Sequence, residues 1–548
     1  MEDVKEADAL REPLLAPPSP AADWLGRPAH GGLGGWKCAS CVLGSTVLTG
    51  IAFYGVLFNL VLFLVENGES NACAAATVAT LSGTYFLCSF LGAFVSDAYL
   101  GRMWASLLFQ ILLTMSMILV GVSMIKTSST GSSSLFLTTS LYFMAITSGS
   151  VLPNIVGLGI DQLDSKADME MYFQLVAVVS GVGMLLAATL VTCLVNAGMW
   201  VWGLGLCAGA SLASLLLVAG SLRWFRRLLV FGNPILRNIQ VLVAALRNFR
   251  LAVPKDSELL YEYEGGESVF PGCRKLPHTC RLSFLDKAAV LQVTNTSSRW
   301  HLCSVTQVEE LKSLLCAIPA AISLSFMSTA VTQISTLFEE QAALMNRRFG
   351  ASFVIPPAAL NVLATVSSVL TGLVTAAGIA RLSSWCFGHS KQTSTERASR
   401  YLILLGMSLF GCVCSMVMSA LVESHRLNVA HKGQIISVLW LLPQTILLGV
   451  ALNVAMSSCL GFFYSEISES VRSLGGCIGL VFCGVGSYLN SILVTVVTSI
   501  TMHGGRPGWI ASNLDEGHAD YYYWVLASFL AFGLGFHIAY ARAYTHDK

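Results

Sequence analysis

The stretch CASCVLGSTVLTGIAFYGVLFNLVLFLV, residues 38–65, contains no charged side chain and is long enough to cross a lipid bilayer as a helix. The rest of the chain has the same character. Of its 548 residues, 54% are hydrophobic and 11% are charged, whereas a soluble globular protein carries about 25% charged residues. Most of the chain is therefore expected to face lipid or other helices, and the sequence predicts an all-α membrane protein.

Further apolar runs of similar length follow the first one, and a spanning helix needs about 20 mostly apolar residues. A polar stretch over 223–312 separates six runs from six. This pattern is typical of the major facilitator fold, in which substrate binds between an N-terminal half, here 37–222, and a C-terminal half, here 313–545. The twelve predicted spans lie near residues 38–65, 74–100, 103–125, 134–160, 170–196, 199–222, 313–338, 355–380, 400–422, 435–464, 475–500 and 520–543.

The distribution of lysine and arginine predicts the orientation of these spans, because cytosolic loops carry an excess of both residues. With the N-terminus in the cytosol, 26 of the 32 Lys and Arg residues fall on the cytosolic side. Both termini and the central loop over 223–312 are thus expected to be cytosolic. Residues 1–36 predict a disordered tail. Residues 236–251, inside the loop, have the pattern of an amphipathic helix that lies along a membrane surface.

Composition also excludes several function classes. The net charge is +1, so no basic surface indicates nucleic acid as a partner. Cys38 and Cys41 have metal-type spacing, but no second Cys/His pair completes a zinc site. We expect no metal, no cofactor and no enzymatic activity, since no nucleophile–base constellation is present. The expected partners are the lipid bilayer and a small-molecule substrate, and the sequence does not indicate the oligomeric state.

Two short charged motifs occur at predicted cytosolic helix ends. In LGAFVSDAYLGR, residues 91–102, Asp97 and Arg102 are either parts of a cytosolic gate or ordinary helix-end charges. In SEISESVRSL, residues 465–474, Glu466, Glu469 and Arg472 recur every third residue and share one helical face. They are either a gating network or a solvated helix end.

These motifs make the chain similar to the plant nitrate/peptide transporter family (NPF), a branch of the proton-dependent oligopeptide transporters within the major facilitator superfamily. The resemblance covers about residues 37 to 545 and implies alternating-access transport of nitrate, short peptides, amino acid derivatives or hormones, at the plasma or vacuolar membrane. The motifs that carry it, in order, are GAFVSDAYLGR (92–102), LPNIVGLGIDQLD (152–164), VLVAALRNFRLAVPKDSELLYE (241–262), FLDKAAVL (284–291), WHLCSVTQVEELKSLL (300–315) and GFFYSEISESVRSLGG (461–476).

The chain departs from the family at the positions that the family uses for proton coupling. The two acids and the arginine of the family's E-x-x-E-R motif align with Thr46, Thr49 and Gly50. A lysine of the fourth span aligns with Leu152, and an acid of the tenth span aligns with Gly461. None of these five side chains can hold a proton or tune the pKa of a neighbouring acid. We therefore expect a facilitator, or a transporter without conventional proton coupling.

Two alternatives stay open: a proton symporter that uses other residues, and a transport-inactive relative that senses a ligand. The charged residues near the spans gather at predicted helix ends, Glu339 and Glu340 among them. The polar residues left within the spans would form a neutral, aromatic pocket that suits a zwitterion or a larger neutral metabolite better than an inorganic anion, although each of them could equally serve helix packing. The predicted pocket residues are Tyr54, Tyr85, Tyr172, Gln174, Gln333, Asn361, Gln444 and Asn453.

Overall fold

The structure is a computed structural model, and the fold below is that of the residues it describes. These are residues 21–24, 27, 33–130, 135–228, 234–254, 259–262, 275–291, 300–349, 353–386, 394–467, 472–502, 508–511 and 513–546. Residues 1–20, which form most of the predicted tail, lie outside this set. Helices, turns and loops make up the described chain apart from two isolated β-bridges and two antiparallel pairs of two-residue strands, β1 Ala21–Ala22 with β2 Arg227–Leu228 and β3 Arg348–Phe349 with β4 Phe353–Val354.

The α-helices are α1 Trp36–Glu66, α2 Asn71–Val95, α3 Gly101–Thr130, α4 Leu135–Ile160, α5 Lys166–Leu186, α6 Thr192–Asn196, α7 Trp200–Ser221, α8 Pro234–Arg247, α9 Val305–Val331, α10 Leu337–Ala343, α11 Ala359–Cys386, α12 Ser394–Ala430, α13 Leu442–Glu466, α14 Arg472–Thr501 and α15 Ala519–His546. Short π-helical turns cover Ser96–Leu100 and Ala187–Val191, and 3-10 turns cover Leu222–Trp224, Ser283–Ala289, Thr332–Ser335 and Val438–Leu441.

Within the described residues, 10 helical stretches are long and apolar enough to cross a membrane. One of them, Asn71–Ser128, has 58 residues. It would be about 87 Å long if straight, nearly three times the thickness of the hydrocarbon core. The stretch is interrupted by the π turn Ser96–Leu100 and by Gly101, whose φ of 73° few residues other than glycine adopt. Because α4 packs along both α2 and α3, the chain folds back at this turn instead of continuing as one straight helix.

The chain divides into two compact units. The larger one is a helical bundle made of Gly34–Leu222, Ala317–Glu466 and Ser473–Lys548. In it, α1 packs against α4, α5 and α7, whereas α13 packs against α11 and α12. Helices α5 and α11 contact each other and so join the two halves of the bundle.

Close helix packing in the bundle depends on small residues, as is common between membrane helices. At the crossing of α2 and α4, a Cβ atom on Gly92 would lie 2.6 Å from Ser150 Cα. Asn154 reinforces this contact, because its Nδ2 donates a hydrogen bond of 3.0 Å to the Gly92 carbonyl. Helices α2 and α4 are therefore in backbone contact at this point.

The smaller unit contains Arg223–Cys316, and it has a core that the sequence analysis did not anticipate. Apart from one helix, this region was expected to be loop-like. The helix is present as α8, but it packs on the 3-10 turn Ser283–Ala289, and together they form a hydrophobic core with Val241, Leu285 and Leu311 fully buried. The polar composition is misleading because buried charges neutralise one another: Lys312 Nζ lies 2.7 Å from Asp286 Oδ1 and 2.8 Å from Glu309 Oε1.

Candidate functional site

A cavity of about 360 Å³ lies inside the helical bundle. Side chains from α1, α2, α4 and α5 line one side, and side chains from α9, α11, α13 and α14 line the other. Its volume lies within the range of pockets that hold metabolite-sized ligands, about 300–1,000 Å³. Among the described residues that line it, none is charged and none is histidine. The cavity wall is therefore neutral.

Four of the predicted pocket residues line this cavity: Tyr54, Tyr85, Asn361 and Asn453. The two tyrosines project from α1 and α2, with ring centroids 6.2 Å apart and at a steep angle. The Tyr85 ring also stacks on Phe53 at 4.1 Å, so an aromatic wall forms on the N-terminal side. The two asparagines come from α11 and α13 on the opposite side.

The other predicted pocket residues do not line the cavity. Gln333 is buried and donates through Nε2 to Asn490 Oδ1 at 2.6 Å, while the Tyr522 hydroxyl donates to the same oxygen at 2.9 Å. This network connects helices within the C-terminal half. Tyr172 is buried against Gly159, and Gln444 is buried on α13 outside the lining. The Gln174 side chain lies outside the described part of the structure.

Four threonine hydroxyls of the cavity wall have their protons committed to the helix or turn in which they lie. Each of four lining threonines donates to a carbonyl one turn earlier, at 2.7 to 3.0 Å: Thr46 to Val42, Thr49 to Ser45, Thr332 to Ser328 and Thr365 to Asn361. A hydroxyl that donates in this way still has lone pairs to accept a hydrogen bond. These four threonines consequently present acceptors rather than donors to the cavity.

The two asparagines of the cavity wall, Asn361 and Asn453, strengthen this preference for acceptors over donors. Asn361 Nδ2 is committed to Glu339 Oε1 and to the Ala358 carbonyl. On α13, the buried Asn453 Oδ1 has no hydrogen-bond partner among the described residues. A buried acceptor without a partner is unfavourable until a donor reaches it. The wall can thus bind a solute that donates hydrogen bonds.

Thr46, Thr49, Gly50 and Leu152, four of the five positions that the sequence analysis aligned with the family's coupling charges, line the cavity. Behind Thr49 lies a neutral cluster that sequence reasoning missed. Gln110 Nε2 donates to Thr49 Oγ1 at 3.1 Å and to Ser214 Oγ at 2.9 Å. Hydroxyl and amide groups therefore occupy the region next to the replaced acids.

Two of the five positions are glycines, Gly50 and Gly461, and neighbouring groups pack closely against both of them. A Cβ on Gly50 would lie 3.4 Å from Gly183 Cα, so α1 and α5 approach each other closely at the position aligned with the arginine. Gly461 does not line the cavity. A Cβ there would lie 2.5 Å from the ring of Tyr401, so a larger side chain at this position requires that ring to move.

Sequence reasoning also missed the hydroxyl face of α9 and the turn that follows it. Ser328, Thr332 and Ser335 all line the cavity. Their spacing of four and three residues puts them on one face of a helix. That spacing was a usable signal in the sequence, because hydroxyl residues recur along an otherwise apolar run.

At the helix end next to Gly101, Arg102 Nη1 forms an ion pair of 2.6 Å with Asp161 Oδ1, the residue that follows α4. Asp97 lies in the π turn and accepts a hydrogen bond of 3.3 Å from Ser96 Oγ. Both Asp97 and Arg102 interact electrostatically with Cys477, in the second turn of α14. The motif of the first half thus faces the beginning of a helix of the second half.

The second charged motif is only partly described. Glu466 ends α13 and is half-buried. Glu469 and the side chain of Arg472 lie outside the described residues, so a network among the three stays a prediction.

Known proteins resemble this chain over most of its length. Residues 103–510 match the model of a protein family described as the POT family. Protein NRT1/PTR FAMILY 8.1 of Arabidopsis thaliana is 34% identical over 532 residues, which cover 91% of this chain and 92% of the relative. Protein NRT1/PTR FAMILY 8.2 of the same plant is 33% identical over 545 residues, 94% of each chain.

Solved structures have a similar fold at much lower identity. The POT family transporter PepTSo superposes with a TM-score of 0.65 at 13% identity, over 93% of this chain and 99% of the other. A POT family transporter in complex with 5-aminolevulinic acid gives a TM-score of 0.61 at 12% identity, over 92% and 96% of the two chains. At such low identity the likeness concerns the fold alone.

Proposed function

This chain belongs to the POT family of transporters, and on that premise we propose that it moves a small, uncharged, nitrogen-containing solute through the central cavity by alternating access. It is an integral, multi-pass membrane protein, and its relatives are transporters rather than enzymes. One observation carries the proposal: the described cavity wall contains no ionisable residue other than tyrosine and cysteine.

A neutral wall favours a neutral solute. Moving a charge out of water is strongly unfavourable unless an opposite charge or several hydrogen-bond donors receive it. The threonine and asparagine donors described above are committed to protein acceptors. Nitrate only accepts hydrogen bonds and would find no free donor on these threonines or on Asn361. A solute with N–H or O–H groups and an apolar or aromatic body matches the acceptors and the aromatic wall.

The transport cycle we propose is facilitative. With Thr46, Thr49, Gly50 and Leu152 at the cavity, the N-terminal half offers no titratable group in place of the family's coupling charges. Solute would therefore move down its own gradient. The competing proposals are a symporter that uses other residues and a ligand sensor that does not transport.

Counterflow in proteoliposomes tests whether this protein transports at all. Vesicles are loaded with one unlabelled compound from a library of neutral amides, ureas and end-capped short peptides, and the labelled compound is supplied outside. A transporter accumulates label transiently for at least one compound. A sensor binds a compound without exchanging label, and that outcome would contradict the proposal.

We further propose twelve spans with both termini in the cytosol. Division of Asn71–Ser128 at Gly101 makes two spans of one stretch, and the shorter apolar helix Ala359–Val374 supplies another. Added to the 10 apolar stretches, these two further spans support the number of twelve that sequence hydropathy predicts. The two six-helix halves would be 37–222 and 313–545, and the intervening region would be cytosolic.

Epitope tags test this topology. Tags at either terminus or near Gly265 should react with antibody only after the cell membrane is permeabilised, because these sites carry the cytosolic excess of basic residues. A tag beside Gly504 should be accessible in intact cells when the protein is at the plasma membrane. Labelling near Gly265 in intact cells would exclude the twelve-span arrangement.

Asp97 is proposed to stabilise one state of a cytosolic gate, since it faces the beginning of α14 across the two halves. A hydrogen bond to a charged group contributes about 1.5–3 kcal/mol, enough to change a balanced gate equilibrium roughly tenfold or more. We expect Asp97→Ala to reduce the transport rate about tenfold while the amount of folded protein stays the same. Asp164→Ala, an exposed acid at the same end, is the matched control. Wild-type transport in Asp97→Ala would make Asp97 an ordinary helix-end charge.

A further inference from the structure

Helix α8 of the smaller unit has a burial pattern that is the reverse of the one expected for a helix in water. Large apolar side chains of the helix and of the turn after it are exposed, whereas several of its polar side chains are buried. The apolar residues recur every three or four positions and therefore share one helical face. This exposed face, called here the apolar stripe, consists of Leu236, Ile239, Leu242, Leu246 and Phe249.

Polar contacts hold the opposite face of α8 against the rest of the unit. Arg237 Nη1 lies 3.6 Å from Glu310 Oε2, and both side chains are buried. Asn248 Nδ2 donates to the carbonyls of Lys287 and His301, at 3.1 and 2.9 Å. A rotation of α8 that buried the stripe would break these contacts. The packing of the unit therefore determines that the stripe points outward.

The stripe is strongly exposed at its C-terminal end. Leu246 is 72% exposed and Phe249 is 58% exposed. Phe284, in the 3-10 turn that packs on α8, adds a further ring that is 55% exposed. Large apolar side chains gathered in this way on a protein surface indicate a contact with a membrane or with another protein.

Three cations accompany the apolar side chains at this end. Arg247 and Arg250 are exposed, and the Arg250 guanidinium lies 5.2 Å from the centre of the Phe249 ring. Lys287, from the 3-10 turn, donates to the Phe249 carbonyl. Within the described part of the chain, none of the three forms an ion pair with a carboxylate. The end of the stripe thus combines apolar side chains with positive charges that are available to an anion.

From this combination we propose that the apolar stripe binds the anionic surface of the bilayer that holds the bundle, with Arg247, Arg250 and Lys287 on lipid phosphates. Apolar side chains of a surface helix enter the boundary between headgroups and acyl chains, and nearby cations are attracted to anionic lipids. A stripe with both features matches a membrane better than it matches a purely apolar protein groove.

The chain itself keeps this helix close to a membrane. The stretch Trp200–Trp224 is long and apolar enough to cross a bilayer, and α8 begins at Pro234. Residues 225–233 lie between them and can span at most about 30 Å. Binding of the stripe to the bilayer is therefore intramolecular in effect and is favoured over binding to a protein free in solution.

This inference goes beyond the transport of a solute. The sequence predicts only that residues 236–251 lie along a membrane, whereas the structure assigns the side chains that enter it and adds Lys287 from a distant part of the chain. The leaflet involved rests on the topology proposed above, in which the region between the two halves is cytosolic. The cytoplasmic leaflet is the one that carries anionic lipid.

Photocrosslinking of the full-length protein in lipid nanodiscs identifies what covers the stripe. The photoreactive residue p-benzoyl-phenylalanine is placed at Leu246, the most exposed position of the stripe. After illumination, mass spectrometry of the α8 peptide should show the added mass of a phospholipid. A crosslink to another peptide of the chain, or no adduct at all, would overturn the proposal.

Lipid charge tests the role of the cations. In nanodiscs with about one-third phosphatidylserine, the lipid adduct should form several-fold more than in pure phosphatidylcholine. The difference should vanish at about 1 M salt, where the Debye length is about 3 Å. Arg247→Gln/Arg250→Gln should lower the yield with phosphatidylserine to the phosphatidylcholine level. Equal yields of the wild type in the two lipids at low salt would contradict the site.

A matched control removes the same charge elsewhere. Arg348 and Lys432 are exposed residues of the larger unit, and Arg348→Gln/Lys432→Gln should keep the full dependence on phosphatidylserine. If this control loses the dependence as completely as Arg247→Gln/Arg250→Gln, net charge rather than the stripe is responsible and the proposal fails.

Hydrogen exchange measures the contribution of the apolar side chains without a crosslinker. Leu242→Ser/Phe249→Ser changes two exposed side chains, so the core of the unit stays intact and α9 should exchange as in the wild type. The amides of α8 in nanodiscs should exchange several-fold faster in this variant, because the helix is held less firmly at the membrane. Unchanged exchange of α8 would exclude the stripe. No solute enters these measurements, so their failure would leave the proposed transport function untouched.

Discussion

Asn453→Leu is expected to lower solute flux at sub-saturating concentration by about tenfold or more. The reason is the buried Oδ1 of Asn453, an acceptor in the cavity wall that has no partner among the described residues. A solute donor that completes this hydrogen bond gains the 1–3 kcal/mol otherwise lost by an unsatisfied buried group. Leucine has a similar volume but cannot accept the bond.

The matched control for this variant lies on the same helix. Gln444 is also a buried amide of α13, and neither of its amide atoms has a partner among the described residues, but it does not line the cavity. Gln444→Leu should transport the same compound at the wild-type rate. Equal flux in both variants would remove Asn453 from the binding site.

Arg426→Met is expected to lower the free energy of unfolding by about 3–5 kcal/mol, the usual effect of leaving a buried charge without its partner. Glu423 is fully buried and would lose the guanidinium that neutralises it. Thermal unfolding of the detergent-solubilised protein, followed by fluorescence, measures the change.

A second variant distinguishes the effect of losing the ion pair from the effect of losing the packing around Arg426. Glu423→Gln/Arg426→Met removes both charges and should regain most of the stability, since replacing a whole buried ion pair is often close to neutral. If Arg426→Met alone is as stable as the wild type, the pair contributes nothing to stability. If the double variant is as unstable as the single one, packing around Arg426 is responsible.

Hydropathy predicted much of the architecture, because a helix in a bilayer must satisfy its own backbone hydrogen bonds and therefore appears as a long apolar run. The first span, near 38–65, corresponds to α1, Trp36–Glu66. The boundaries of the helices were predicted less accurately. The tenth span was predicted near 435–464, whereas a 3-10 turn over Val438–Leu441 precedes α13.

The cavity was only partly predictable. Tyr54 and Asn361 could be singled out as polar residues in apolar runs, but nothing in the sequence tells that Gln333 turns away toward Asn490. The same holds for the burial of Glu339, which depends on how α10 packs against distant helices. Such choices are made by tertiary contacts between residues far apart in the chain.

The smaller unit shows a different limit of prediction from the sequence. Its composition is polar, yet Lys312, Asp286 and Glu309 are buried together. Composition counts charges but does not say which of them neutralise one another. In this unit a polar sequence therefore conceals a core in which opposite charges lie in contact.

The central claim is that solute moves through a neutral cavity without a proton partner. The most direct measurement is the final ratio of labelled solute inside and outside proteoliposomes, with an inward proton gradient and with that gradient collapsed by a protonophore. The compound is one that counterflow has identified. We predict that the ratio reaches one in both cases, whatever the speed of approach. A ratio well above one under the gradient, which falls to one with the protonophore, would contradict the account.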